Sequence, residues 1–180
     1  MRADEVMELL RHARHDWMNE LQLIQGYASM GKMDKVKEKT TDVIQKAEEE
    51  RRLMNLNTPY LSLWLMSFNW HHPFFRLTYE VKGKTVDLCH QDITLYAHCK
   101  EIIRVFERFS DSATLYHGKV RIEVYTSSRV EISVVLSGEF EEMPHLQSTI
   151  QEKEFITAVE IEDIEQYHQV TAKMNVEVKR

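Results

Sequence analysis

RHARHDWMNELQLIQGY, residues 11–27, decides how this sequence reads. Extended to residues 4–30, it carries Val6, Leu10, Ala13, Trp17, Leu21, Ile24 and Ala28 at steps of three and four. That spacing predicts one amphipathic helix of about 40 Å. Asp4 reads as its N-cap. Gly31 reads as its stop, because glycine accepts the left-handed conformation that ends helices. Asp34 then reads as the cap of a second helix through VKEKTTDVIQKAEEERRLM, with a thin stripe of Val36, Thr40, Val43, Ala47 and Met54. Two helices joined by a short turn make an antiparallel hairpin with little core of its own. A second copy would complete a four-helix bundle, so the stripes predict a homodimer.

The pattern changes at NTP, residues 57–59, where Asn57 or Thr58 reads as a cap and Pro59 as the first helical residue. YLSLWLMSFNW predicts a short, largely buried helix. FRLTYEVKG alternates as a strand, and DITLYAHCKEIIRVFERF returns to helical spacing. KVRIEVYTSSRVEISVVLSG predicts a hairpin, with Val120, Ile122 and Val124 facing Val130, Ile132 and Val134. A short helix and one or two strands are expected after Pro144. The expected architecture is α+β: a dimerising helical hairpin over residues 1–57, then a small α/β domain over residues 58–180.

The totals limit the function classes. The chain has 180 residues, 43% of them hydrophobic, which is enough for a core. Its net charge of −6, with no dense basic run, argues against nucleic acid as ligand. The longest apolar run, YLSLWLM, is far short of the ~20 residues a membrane span needs. The N-terminus lacks the apolar segment of a signal peptide. Two cysteines and no C-x-x-C pair suit a reducing compartment. A cytoplasmic protein without membrane contact is expected.

His15 is the chemical centre of the opening stretch. At about 100° per residue, Ala13 and Trp17 lie about 200° from it, so a helix that buries them turns His15 outward. Arg11 and Asn19 share its face at i−4 and i+4, bordered by His12 and Gln22. An exposed imidazole is mostly neutral near pH 7, so one ring nitrogen keeps a lone pair and is a nucleophile. Asp16 is placed to hold the proton on the other nitrogen. Arg11 can meet a transferred phosphoryl group, and Asn19 can donate a hydrogen bond to it.

LLRHARHDWMNELQLIQG, with NTPYLSLWLMSFNWHH and LTYEV further on, resembles the sporulation initiation phosphotransferase B family. More loosely, it is similar to the H-box of sensor histidine kinases. The resemblance implies a phosphorelay. His15 would take a phosphoryl group from a phosphorylated response regulator and pass it to the receiver domain of a sporulation transcription factor. It also implies a dimer, Mg²⁺ supplied by the receiver rather than by this chain, and a kinase-ATPase-like second domain without nucleotide. Arg11, His12, Arg14, Asn19, Gln22 and Gln25 would form the receiver's landing surface. The residues agree on ATP. No G-x-G occurs, and HCKEIIRVFERF carries no asparagine for a metal-bound nucleotide.

Other readings compete. A histidine kinase with a degenerate ATP site would need the missing glycines. A non-catalytic dimeric adaptor would leave His15 merely exposed. Cys89, His90, His98 and Cys99 invite zinc, but adjacent pairs lack the usual ligand gap. No metal or cofactor of its own is expected.

Overall fold

A computed structural model describes residues 3–164 and 167–178. The chain divides into two compact units, Met1–Arg51 and Arg52–Arg180.

The first unit is a helical hairpin. Helix α1 spans Ala3–Ser29 and α2 spans Met33–Met54. Asp4 already lies within the first turn of α1 rather than capping it, and Asp34 lies within the first turn of α2. Gly31 ends α1 at φ +68°, a conformation that costs a side-chain-bearing residue more. Glu20 of α1 ties the helices together, reaching Lys39 at 2.6 Å and Lys46 at 2.7 Å on α2. The Lys39 hydrogen bond first, and then that of Lys46, holds the Glu20 carboxyl below the usual carboxylate range. The hairpin covers only part of the α1 stripe. Val6, Ala13 and Ile24 are half-buried, while Leu10, Trp17 and Leu21 remain about half exposed. EEERR, a charge run that the sequence suggests is solvated, has half-buried glutamates at Glu48, Glu49 and Glu50. Burial pushes the Glu50 carboxyl up.

The second unit is an α/β layer pair. Its core begins with Leu53 and Leu56, both fully buried, before α3 starts at Pro59 and runs to His71. Strand β1 (Phe75–Gly83), a one-turn 3-10 helix (Cys89–Gln91) and α4 (Asp92–Arg108) follow. Then come β2 (Tyr116–Thr126), β3 (Arg129–Gly138), α5 (Met143–Gln151), β4 (Ala158–Ile164) and β5 (Tyr167–Glu177). The sheet order is β1-β2-β3-β5-β4. Only β1 and β2 are parallel, and the crossover that parallel pairing requires contains α4. Strand alternation sends Val120, Ile122 and Val124 of β2 inward opposite Val134, Ile132 and Val130 of β3. Val170, Ala172, Met174 and Val176 of β5 continue the same layer. Helices α3, α4 and α5 cover this face. The other face is polar, with Arg121 beside Glu80 at 3.3 Å and Lys173 on Glu160 at 2.5 Å. The expected fold class, a helical hairpin followed by an α/β domain, is the one found.

Two side chains do work that the sequence pattern does not announce. Asn69 of α3 lines up with the outer edge of β1. Its Nδ2 donates to the Leu77 carbonyl at 2.9 Å, and its Oδ1 accepts the Leu77 N–H at 2.8 Å. One carboxamide thus stands in for a neighbouring strand, which blunts an edge that would otherwise invite pairing. Asp92, 3% exposed, is the true cap of α3. Thr58 occupies the N-cap position but makes no side-chain cap bond. The N–H groups of Tyr60 and Leu61 donate to the Asp92 carboxylate at 2.8 and 2.9 Å. Asp92→Ala is expected to cost about 2 kcal/mol, read from the urea midpoint, because two helix N–H groups lose a charged acceptor. Asp92→Asn keeps one acceptor oxygen and should cost roughly half as much. A loss under about 0.5 kcal/mol for the alanine variant would show that the cap is not needed.

Candidate functional site

Helix α1 has no proline, and its apolar residues fall at helical spacing, so its polar residues are sorted onto a separate face. His15 stands on that face with 72% of its side chain exposed. Its Nδ1 lies 3.4 Å from Asp16 Oδ1 and 3.2 Å from Asn19 Nδ2. The two contacts belong to different tautomers. A proton on Nδ1 can be donated to the Asp16 carboxylate, whereas a donating Asn19 amide requires the Nδ1 lone pair and leaves the proton on Nε2. Turning the Asn19 carboxamide over presents its oxygen to the same Nδ1–H, so both neighbours can serve the first tautomer. In that tautomer Nε2 carries a free lone pair, and among the described residues Nε2 has no hydrogen-bond partner.

The other candidates distribute around this imidazole. Arg11, one turn earlier, is exposed. Arg14, Gln22 and Gln25 are exposed as well. His12 is half-buried, with its Nδ1 3.0 Å from the Glu8 carbonyl, so its ring is drawn back along the helix. The sequence reading overlooked three neighbours. Met18 and Leu23 are 47% and 44% exposed, at about −60° and +80° from His15 around the helix. Gly26 lies at about +20°, nearly in line with His15. The exposure of Met18 and Leu23 beside a polar face was legible from the helical wheel.

The four residues considered for zinc do other things. Cys89 and His90 sit on the 3-10 helix and are exposed. Cys99 is fully buried in α4, and burial pushes its thiol up to about 12, which makes it unreactive. His98 stacks face to face on Phe155, with centroids 3.8 Å apart and planes 5° from parallel. Beside it, Lys153 donates to Glu101 at 2.7 Å. Desolvation lowers the His98 pKa below its ordinary 6.5, and Glu101 opposes the shift only in part. A lowered folded value means that folding favours the neutral ring. This contribution is therefore present above pH 6.5 and lost as the pH falls below it. The drop in Tm between pH 7.5 and pH 5.5 is expected to be smaller in His98→Phe than in the wild type. An equal drop would mean that His98 does not titrate against the fold.

Comparison with known proteins covers both units. Residues 1–56 match the family model "Sensor kinase SpoOB-type, alpha-helical domain". Residues 57–175 match "Sporulation initiation phospho-transferase B, C-terminal". Over 106 residues the chain is 39% identical to sporulation initiation phosphotransferase B of Bacillus subtilis (strain 168). That alignment covers 59% of this chain and 55% of the relative, so it spans just over half the relative's length. Two nucleotide-free structures of the catalytic domain of histidine kinase ThkA align with 68% and 66% of this chain, and with 91% and 89% of their own. Their TM-scores are 0.38 and 0.36, at 14% and 13% identity. With one family model covering its helices and another covering most of its second unit, this chain belongs to the sporulation initiation phosphotransferase B family.

Proposed function

We propose that this chain is a phosphorelay phosphotransferase that carries a phosphoryl group on His15. The donor is a phosphorylated response regulator, and the acceptor is the receiver domain of a sporulation transcription factor. One observation carries the reading. An imidazole 72% exposed on α1 has its Nδ1 engaged by Asp16 and Asn19 and its Nε2 unengaged, the arrangement a nucleophile needs.

In the forward step the Nε2 lone pair attacks the phosphorus of the donor's aspartyl phosphate. The P–O bond breaks, and the aspartate leaves as a carboxylate. The proton stays on Nδ1, where Asp16 stabilises the positive ring. Arg11 meets the charge spread over the phosphoryl oxygens. The second step reverses this chemistry on the acceptor's aspartate. Mg²⁺ belongs to the receiver, and no metal or nucleotide of this chain's own is invoked. The half-exposed Leu10, Trp17 and Leu21 form the ridge on which a second copy packs, making a four-helix bundle. Among the described residues no helix is long and apolar enough to cross a membrane. A cytoplasmic location is part of the proposal.

The test is transfer of radiolabelled phosphate, with a phosphorylated single-domain response regulator in one tube and ATP alone in another. Acid-labile label arriving only from the regulator supports the relay. Label arriving from ATP alone favours the kinase alternative. No label from either leaves a dimeric adaptor.

A further inference from the structure

We propose that the cavity between the C-terminal ends of α3 and α4 binds a small aliphatic polyamine. The site lies wholly within the second unit and is independent of the chemistry of His15.

The cavity holds about 260 Å³ and is open on one side. That is below the volume of a drug-sized ligand site, so its occupant is small. Two helices point their negative ends at it. Helix α3 closes at His71 and α4 at Arg108, and His71 and Glu107 of these last turns are in its wall. Two carboxylates add full charges. Glu107 Oε1 takes the Nδ1 proton of His72 at 2.8 Å, and Asp111 Oδ1 takes the Ala113 N–H at 2.9 Å. The second oxygen of each carboxylate makes no bond to another described residue. The other titratable groups of the wall are the imidazoles of His71 and His72. Arg76 and Arg108 stand close in sequence but do not line the cavity. Arg76 is held on the carbonyls of Pro73 and Phe75 at 3.2 and 2.9 Å, and Arg108 lies over the Phe109 ring at 5.7 Å.

The rest of the wall selects among cations. Pro73, Phe74 and Phe75 line it, and Phe74 is 46% exposed. A bare divalent metal gains nothing from such a surface, and among the described residues no group of three or more His, Cys, Asp or Glu side chains is placed to hold one. A polyamine uses both parts of the wall. Its ammonium groups donate to the unengaged oxygens of Glu107 and Asp111 and lie against the Phe74 ring, while the methylenes between them pack on Pro73 and Phe75.

The test is isothermal titration of the whole chain with putrescine and spermidine in about 0.1 M salt, where diffuse attraction to a net-acidic protein is screened within ~10 Å. Magnesium chloride and uncharged 1,4-butanediol serve as controls. Spermidine is expected to bind one to one with a Kd of roughly 0.1–1 mM, as suits a ligand of about ten heavy atoms. Asp111→Asn keeps the oxygen that accepts the Ala113 N–H, so it should fold, and it is expected to weaken binding about tenfold. Phe74→Ala should weaken it about threefold. Glu154→Gln removes one exposed acid elsewhere on the unit and should bind like the wild type. In amide proton–nitrogen spectra, spermidine should shift residues 71–75 and 107–112 and leave the sheet unmoved. Several outcomes overturn the proposal. These are no binding below about 10 mM, an equal response to magnesium, wild-type affinity in Asp111→Asn, or shifts spread over the acidic surface.

Discussion

His15→Gln is expected to abolish phosphoryl acceptance, a loss of at least about a thousandfold, and to leave the fold unchanged. The size follows from the chemistry. Glutamine fills similar space and keeps polar atoms, but its amide nitrogen has no available lone pair. No other described side chain sits where His15 does. His12 is the nearest imidazole on the helix, and its Nδ1 is already turned to the Glu8 carbonyl. The structural silence follows from exposure. With 72% of the side chain in water, the variant should unfold within about 0.5 kcal/mol of the wild type. Asp16→Ala and Asn19→Ala should weaken transfer less, because each removes one of two groups that steer a single nitrogen. A His15→Gln protein that is folded and still accepts label would move the nucleophile elsewhere.

Gly138→Ala is expected to destabilise the second unit by about 3 kcal/mol, which corresponds to a Tm fall of roughly 10 °C. A Cβ at Gly138 would stand 2.2 Å from Cδ1 and 2.5 Å from Cε1 of Tyr116. The ring cannot step aside, because Tyr116 is fully buried and flanked by Phe75 and Phe140 at centroid distances of 5.4 and 5.0 Å. Its hydroxyl is fixed as well, donating to the Glu139 carbonyl and accepting the Asp111 N–H at 2.9 Å. One methyl group thus forces the end of β3 away from the start of β2. Shrinking the obstacle should relieve the clash. Gly138→Ala combined with Tyr116→Leu is expected to cost less than the sum of the two single changes, and strict additivity would refute the contact. Thermal melts followed by near-ultraviolet circular dichroism read both effects.

The elements legible in the sequence were those whose apolar spacing has only one periodic solution. The α1 stripe from Val6 to Ala28 and the facing valines and isoleucines of β2 and β3 are of this kind, and the structure has them as helix and hairpin. Tertiary substitutes for local signals were not legible. Thr58 looked like the cap of α3, but the acceptor comes from Asp92, more than thirty residues later in the chain. The partner that Asn69 finds on β1 is likewise invisible to a pattern of period two or 3.6. At the site, the sequence marked His15, Asp16 and Asn19 because their chemistry shows at i, i+1 and i+4. It said nothing of the competition between Asp16 and Asn19 for one nitrogen, which depends on side-chain placement.

The most direct measurement is the phosphorus NMR spectrum of this protein after transfer from a phosphorylated response regulator, with peptide mapping of the modified residue. The account predicts one phosphoramidate signal, from phosphate on Nε2 of His15 and absent in His15→Gln. Phosphate mapped to any other residue, or a signal that survives in His15→Gln, would contradict it.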